Sequence, residues 1–240
     1  MPKISSFTTL VWLAIVALAA VSALFVLWPG LDLAIARWFG DATGFWLAQQ
    51  GWAIALRLGL LWATRIIALL ALLWLLLALL RGARARISWR YPAFAFFSFA
   101  LGPWLLVNEL FKNNWGRARP YQLAEFGGEA GFTPAWKIAD QCSTNCSFVS
   151  GESGMSAATV LVLLVLFGRE MPAWARALLV VLGVVGAALR IPFGGHFTSD
   201  VVIAALLCAL VVAGFYALLL RDRPQPAAMW RGLRDDLRLR

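Results

Sequence analysis

Six apolar runs constrain the fold of this chain more than any other feature. They lie near residues 8–28, 60–80, 91–111, 153–168, 176–191 and 200–220. A helix needs about 20 apolar residues to cross a bilayer, and backbone groups inside lipid must satisfy one another, which favours helices over strands. The fourth and fifth runs are shorter, so we expect their ends to reach into polar neighbours. The sequence therefore predicts an all-α, polytopic membrane protein, a bundle of six transmembrane helices that forms one domain over residues 1–240.

The Lys and Arg residues predict which way these helices run. Only 14% of the residues are charged, yet the formal net charge is +9. The loop 81–90 holds four Arg and no acidic residue, and the tail 221–240 holds six Arg against three Asp. Because cytoplasmic loops of membrane proteins are rich in Lys and Arg, both termini are predicted to be cytoplasmic. The charge thus reflects topology and contact with anionic lipid, and we expect no nucleic-acid partner.

Residues 31–59 are moderately apolar and are broken by short polar stretches, Gly40-Asp41 and Gln49-Gln50-Gly51. We interpret the segment as amphipathic helices that lie in the outer membrane interface. They would act as a packing collar for the bundle or as a platform that guides a lipid into the site. Arg57 and Arg65 lie near the outer end of the second run, and snorkelling toward head groups is the favoured interpretation of both. The alternative is that they bind a second anionic group of the substrate, which their spacing does not support.

Three polar islands adjoin apolar runs in the second half of the chain, at residues 112–120, 146–152 and 190–200. Together with the loop 112–150 they fall on the face opposite the termini, which is predicted to be periplasmic. Charges at a membrane edge cost free energy unless they pair or bind a ligand. Two guanidinium forks, one ammonium group and a helix N-terminus would together suit a phosphate. The residues that we expect to hold it are Lys112, Arg119, Ser150, Gly151 and Arg190.

His196 is the only histidine of the chain and its best candidate for a nitrogen nucleophile. Asp200 follows four residues later, so on a continuing helix its carboxylate would reach the imidazole and fix the tautomer. Gly194 and Gly195 would leave room for a phosphate beside the ring. This spacing favours a catalytic role for His196 over that of an interfacial side chain.

Cys142 and Cys146 lie in the loop 112–150 as Cys-Ser-Thr-Asn-Cys. On an oxidising face of the membrane they can form a small disulfide ring. The alternative, a metal-binding pair, lacks further ligands, because the chain has one histidine and no other nearby cysteine. The disulfide is the favoured interpretation, and no metal or other cofactor is expected.

Lys112-x6-Arg119-Pro120, Ser150-Gly151 and Arg190-x5-His196-x3-Asp200 resemble the three signatures of the type 2 phosphatidic acid phosphatase (PAP2) superfamily. The layout of six spans agrees with the membrane bundle of that family. The resemblance implies a metal-independent reaction in two steps, in which His196 attacks phosphorus and forms a phosphohistidine. It assigns the phosphate oxygens to the five residues named above, and the orientation of His196 to Asp200.

One position departs from the pattern of the family. The second signature usually reads Pro-Ser-Gly-His, whereas this chain reads Val149-Ser-Gly-Glu152. The missing histidine normally protonates the leaving oxygen, and Glu152 could replace it if it holds a proton at the start of the reaction. The alternative is an ion pair between Glu152 and a nearby cation, which would leave a slower or inactive enzyme.

A finer resemblance is to the lipid A 4′-phosphatases of Gram-negative inner membranes. It rests on Trp115-Gly-Arg-Ala-Arg-Pro120, Gln141-Cys-x3-Cys146-Ser-Phe-Val and Gly-Gly-His196-Phe-x-Ser-Asp200. Those enzymes also carry an acidic residue in place of the histidine of the second signature. Their active sites face the periplasm, in agreement with the topology predicted from the Lys and Arg residues.

We therefore predict a phosphatase of the bacterial inner membrane that removes the 4′-phosphate of lipid A at the periplasmic leaflet. Its expected partners are the phosphorylated lipid and the bilayer, with no obligate protein partner. Undecaprenyl pyrophosphate, phosphatidylglycerophosphate and phosphatidic acid are alternative substrates. A lipid or anion transporter and a catalytically silent scaffold are alternatives from other classes, although the chain shows no internal repeat or paired broken helices of the kind typical of transporters.

Overall fold

The computed structural model describes residues 4–85, 87–222 and 229–237 of the chain. It is mostly helical, in agreement with the predicted class. Helices α1 to α8 span Ile4–Leu27, Gly30–Ala36, Gly51–Arg81, Arg90–Phe99, Gly151–Phe167, Ala173–Ala188, Thr198–Leu219 and Met229–Leu237. Arg86 of the loop 81–90, and residues 223–228 and 238–240 of the predicted cytoplasmic tail, lie outside the described residues.

Among the described residues, four helices are long and apolar enough to cross a membrane. These are α1 over Phe7–Leu27, α3, α4 together with its continuation to Phe111, and α7. The other two apolar helices, α5 and α6, have 17 and 16 residues, which is shorter than a typical span of about 20 residues. The prediction of six spans is therefore confirmed for four helices. The spanning role of α5 and α6 and the cytoplasmic position of the termini stay predictions.

The helix α4 continues as a π-helix over Ala100–Phe111, which contains Pro103. Proline has no N–H group and its ring crowds the preceding turn of an α-helix, so a run of wider turns accommodates it. This π-helix ends at Phe111, directly before the first polar island. The geometry of the chain around Pro103 thus affects where Lys112 enters the site.

Residues 31–59 differ from the predicted pair of interfacial helices. Only α2 is a helix of that kind, and a small antiparallel hairpin follows it, with strand β1, Gly40–Asp41, paired with strand β2, Gly44–Phe45. A 3-10 turn covers Trp46–Gln49, and α3 begins at Gly51, well before the predicted start of the second span near residue 60. The reason is that no proline separates residues 52–59 from the apolar run that follows them, and the single glycine at the boundary, Gly59, is tolerated inside the helix. Their position in the membrane interface stays a prediction.

The helices α5 and α7 pack against each other at the centre of the bundle, with α1, α4 and the π-helix around them. Small residues permit the close approach, because a Cβ atom added at Gly154 of α5 would lie 2.7 Å from the sulfur of Cys208 in α7. Phe94, Val107, Phe148 and Ile203 belong to the buried core that joins these elements.

One end of this bundle brings the three polar islands together. The π-helix ends there, α5 begins there, and the turn between α6 and α7 lies beside both. Backbone hydrogen bonds connect the islands: the N–H of Cys146 donates to the carbonyl of Lys112 (3.1 Å), and that of Ser150 donates to the carbonyl of Asp200 (3.1 Å). The fold therefore converts three separate stretches of sequence into one site.

Candidate active site

A cavity of about 510 Å³ opens where the three polar islands meet. Five of the predicted site residues line it, namely Lys112, Arg119, Gly151, Glu152 and Arg190. Arg57 and Arg65 of α3 also line it, so five cations face two carboxylates, those of Glu109 and Glu152. This excess of positive charge is what an anion-binding site requires.

Asn145 holds two of these cations in place. Its side-chain oxygen accepts hydrogen bonds from the ammonium of Lys112 (3.2 Å) and from the guanidinium of Arg119 (2.9 Å), and its backbone carbonyl accepts a further bond from Arg119 (2.6 Å). The backbone of Asn145 has a φ of +51°, a left-handed conformation that asparagine tolerates better than most residues. Only the place of Asn145 between two cysteines could have pointed to this role.

A disulfide joins Cys142 and Cys146 in the structure. It closes the short loop that contains Asn145. The backbone N–H of its second cysteine, Cys146, donates a hydrogen bond to the carbonyl of Lys112. The two sulfurs are therefore placed to restrain the residue that orients Lys112 and Arg119. Within the described ranges of the chain, no group of three or more His, Cys, Asp or Glu side chains is arranged to hold a metal ion.

Burial and mutual repulsion act on the two buried cations of the cavity. Burial, together with repulsion from Arg119 and Arg190, lowers the pKa of Lys112 to about 8. Burial likewise lowers the pKa of Arg190 to about 10, with Arg57 and Arg119 among the groups that repel it. A bound anion would reverse both effects, because it stabilises the charged forms of the two side chains.

Arg190 lies against a stretch of backbone that only glycine permits. A Cβ atom added at Gly195 would lie 2.2 Å from the guanidinium of Arg190. The Nε atom of Arg190 is buried without a hydrogen-bond partner among the described residues, and it lies 3.5 Å from the carboxylate of Glu152. A donor that is buried and unsatisfied costs free energy, so Arg190 is poised to bind an additional acceptor.

The predicted helix N-terminus is present at α5. The side chain of Ser150 caps the helix by accepting a hydrogen bond from the N–H of Ser153 (3.4 Å), and Ser150 is fully buried. Gly151 lines the cavity. A Cβ atom there would lie 2.6 Å from the side-chain oxygen of Asn108, so glycine allows this close packing. The positive end of the α5 dipole therefore points toward the cavity wall.

His196 is buried and is oriented by a backbone carbonyl. Its Nδ1 lies 2.7 Å from the carbonyl oxygen of Ser147, whereas the nearest oxygen of Asp200 is 3.8 Å away. The expected direct bond between His196 and Asp200 is therefore absent, because His196 precedes α7 and does not continue its helix. A carbonyl can only accept, so Nδ1 carries the proton and Nε2 keeps a lone pair.

The surroundings of His196 favour its neutral form. Burial lowers the pKa of His196 well below its ordinary value. The cations Lys112 and Arg190 lower it further, and Asp200 opposes the shift. A neutral imidazole with a free Nε2 lone pair at neutral pH is the form that a nitrogen nucleophile needs.

Asp200 accepts hydrogen bonds from groups that the sequence patterns do not predict. Its carboxylate accepts hydrogen bonds from Arg117 (2.6 Å), from the hydroxyl of Ser147 (2.5 Å) and from the N–H of Phe197 (2.9 Å). Arg117 in turn donates to Asp32 of α2 (2.9 Å). Two features of the sequence pointed to this role. Arg117 lies in the run Trp115–Pro120 that carries the resemblance to the lipid A 4′-phosphatases, and Asp32 is a charged residue in an apolar segment.

Glu152 lies in an ion pair with Arg57. The guanidinium of Arg57 donates to both carboxylate oxygens, at 3.0 Å for one of them. The interpretation of Arg57 as a snorkelling side chain is wrong, because its head group faces the cavity and is only 23% exposed. Arg65 also lines the cavity, although it is exposed and its guanidinium lies over the ring of Trp62, 5.3 Å from the ring centre.

Comparisons with known proteins identify relatives of this chain. The chain is 41% identical over 118 residues to a lipid A 4′-phosphatase of Rhizobium leguminosarum, which is 49% of this chain and 50% of that protein. It is 37% identical over 123 residues to a lipid A 4′-phosphatase of Francisella tularensis subsp. novicida, or 51% and 55% of the two chains. The chain thus spans about half the length of the relatives that it matches. No solved structure matches it.

The family match covers the three polar islands of the site, but not the part of the cavity that α3 lines. The model of the PAP2 superfamily matches residues 89–224, which include all three polar islands and exclude α1, α2 and α3. Every predicted phosphate-binding or catalytic residue, from Lys112 to Asp200, falls within this segment. The chain belongs to the PAP2 superfamily.

Proposed function

We propose that this protein is an integral-membrane lipid phosphatase that removes a phosphate monoester through a phosphohistidine at His196. The observation that carries the proposal is the meeting of Lys112, Arg119 and Arg190 around one cavity. His196 is buried and does not line this cavity, but it lies close enough to Lys112 and Arg190 for their charges to lower its pKa. The sequence places these residues far apart, and nothing in the packing of an apolar bundle requires them to converge. A bound phosphate would offset the repulsion between these three cations.

The cavity supplies the positive charge that a phosphoryl group needs. Arg119 and Arg190 present planar forks to its oxygens, and Lys112 adds a compact charge. The N-terminus of α5 at Gly151 adds backbone N–H groups and the positive end of the helix dipole. In the transition state these groups would stabilise the charge on the equatorial oxygens, which is usually the largest catalytic contribution.

In the first step the Nε2 lone pair of His196 forms a bond to phosphorus. The bond between phosphorus and the lipid oxygen breaks, and its electron pair leaves with that oxygen, which takes up a proton. The proton on Nδ1 stays on the ring and remains bonded to the Ser147 carbonyl. The phosphorylated imidazole therefore gains one positive charge, which the nearby carboxylate of Asp200 stabilises.

In the second step a water molecule attacks the phosphorus of the phosphohistidine. The bond between phosphorus and Nε2 breaks, its electron pair returns to the ring, and inorganic phosphate leaves. The water gives up one proton during this attack. If Glu152 donates the proton in the first step, the same carboxylate accepts this one in the second.

Glu152 is our candidate for that acid, although Arg57 holds its carboxylate in the structure. To donate, it must hold a proton when the lipid is bound. Entry of a phosphate beside Arg190 would bring a second negative charge close to Glu152, since the two side chains are 3.5 Å apart. Repulsion between the phosphate and the carboxylate, both held near Arg190, would favour protonation of one of them. The substrate itself would thus prepare the acid.

Lipid A 4′-phosphate is the substrate that we favour, since the relatives named above are lipid A 4′-phosphatases. We also propose that the protein lies in the bacterial inner membrane with the cavity facing the periplasm. The Arg-rich loop 81–90 and tail 221–240 support this orientation, since Lys and Arg accumulate on the cytoplasmic side. Undecaprenyl pyrophosphate, phosphatidylglycerophosphate and phosphatidic acid remain the alternative substrates.

Phosphate release by the purified protein tests this proposal. The protein in detergent is incubated with each of the four lipids in the presence of a chelator, alongside His196→Ala. We expect release of phosphate from lipid A that survives the chelator and is lost in His196→Ala. Release from another lipid of the panel instead would change the proposed substrate but leave the proposed reaction in place. No release from any lipid would refute the enzyme and favour an anion-binding or transport role.

A further inference from the structure

A buried chain of charges connects α2 to the site. Arg117 stands between two carboxylates, 2.9 Å from Asp32 and 2.6 Å from Asp200. The side chains of all three are at most 1% exposed. Asp32 lies outside the segment 89–224 that matches the superfamily, whereas Arg117 and Asp200 lie inside it. An element beyond the matched segment thus contributes a buried carboxylate to the surroundings of His196.

The hydrogen bonds of this chain leave little freedom to its members. Asp32 accepts from the N–H of Ser199 (2.9 Å) and from its hydroxyl (2.5 Å), in addition to Arg117. Arg117 also donates to the hydroxyl of Ser199 (2.9 Å) and to the carbonyl of Thr133 (2.8 Å). Buried ionic groups of this kind add little to stability compared with apolar residues of similar size. A role in catalysis is therefore a better reason for their presence.

The number of charges indicates what that role is. Arg117 by itself would neutralise Asp200, and the site behind His196 would carry no net charge. Asp32 supplies a second carboxylate, so the three groups together carry one negative charge. Burial raises the pKa of Asp32 and Asp200 adds to this rise, whereas Arg117 and Ser199 oppose it without cancelling it. The carboxylate of Asp32 accepts only from N–H and O–H donors, and these hydrogen bonds favour its charged form. In the proposed reaction the ring of His196 gains a positive charge, and a net negative charge beside it lowers the barrier.

We propose that Asp32 is a positioning residue for the reaction: it balances Arg117, so that the negative charge of Asp200 remains available to His196. This inference rests on the proposed phosphohistidine mechanism. Asp32 acts through Arg117 and Asp200 and does not line the cavity. Its removal should therefore slow the chemical step and leave the binding of the lipid unchanged.

Asp32→Asn tests the inference, because it removes the charge and keeps a side chain of the same shape. We expect kcat to fall about ten- to a hundredfold, by analogy with the loss of a group that orients a metal ligand through a hydrogen bond. KM should stay within about twofold of the wild type. The double variant Asp32→Asn/Arg117→Gln restores a net charge of minus one. Its kcat should exceed that of Asp32→Asn, because the net charge behind His196 is again minus one.

Glu125→Gln is the matched control, because Glu125 pairs with Arg37 at the end of the same helix α2, but at an exposed position. It should leave kcat and KM unchanged. Thermal unfolding in detergent identifies the variants that are folded at the assay temperature. A folded Asp32→Asn with kcat near that of the wild type, or with the loss in KM instead, would overturn the inference. So would a folded double variant whose kcat is no higher than that of Asp32→Asn. Loss of activity in the wild type itself would refute the proposed function instead.

Discussion

Among the single residues of this site, Glu152 is the one whose role differs most from the pattern of the superfamily. If it protonates the leaving oxygen, Glu152→Gln should lower kcat for a lipid substrate by about a hundredfold or more. A soluble ester with a good leaving group, such as p-nitrophenyl phosphate, needs no proton and should lose far less. Glu109→Gln, which changes the other carboxylate of the cavity, should have little effect. An equal loss on both substrates would show that Glu152 instead positions Arg57 and Arg190.

Lys112 makes activity sensitive to alkaline pH. Its pKa is lowered to about 8, so its positive charge is present below that pH and is lost above it. We expect kcat/KM, which reports the free enzyme, to fall about tenfold per pH unit above the pKa. Lys112→Arg should retain the charge and move this fall to higher pH, whereas Lys137→Arg in the exposed part of the same loop should change nothing. An identical alkaline fall in Lys112→Arg would refute the assignment.

Among the elements, the loop closed by Cys142 and Cys146 controls the geometry of the cations through Asn145. Opening it with Cys142→Ser/Cys146→Ser should loosen the hydrogen bonds to Lys112 and Arg119. Because a hydrogen bond to a charged group contributes about 1.5–3 kcal/mol, we expect KM to rise about tenfold while the protein stays folded. Cys208→Ala, at the free and buried cysteine of α7, is the control for loss of a sulfur. Unchanged KM in the double variant would show that Asn145 holds its position without the disulfide.

The elements also show what hydropathy can and cannot predict. Long apolar runs fixed α1, α7 and most of α3, because an apolar helix of that length has few alternatives to a bilayer. The start of α3 at Gly51 was missed, since Gln49 and Gln50 suggested a break inside an interfacial helix. The polar pair instead precedes the helix. Hydropathy also cannot reveal which side of α3 faces the cavity, and so Arg57 was assigned to the lipid head groups.

Across the chain, the spacing of the polar islands predicted residues that the fold brings close together, but it did not predict the groups that support them. The spacing of Lys112, Arg119, Arg190 and His196 carried the chemistry, and the fold brings these residues together. The carbonyl of Ser147 that orients His196 could not be predicted, because every residue has a carbonyl and only tertiary structure selects one. Asp32 was equally hidden, since its partner lies 85 residues away in the chain.

In the proposed reaction His196 carries the phosphoryl group between the two steps, and this intermediate can be detected directly. The wild type is mixed with a lipid that is radioactively labelled in its phosphate, stopped within the first turnover, and digested to locate the label. We predict an acid-labile label on the peptide that contains His196, formed before inorganic phosphate is released and absent from His196→Ala. Release of labelled phosphate without any label on the protein, or by His196→Ala at the rate of the wild type, would contradict the account.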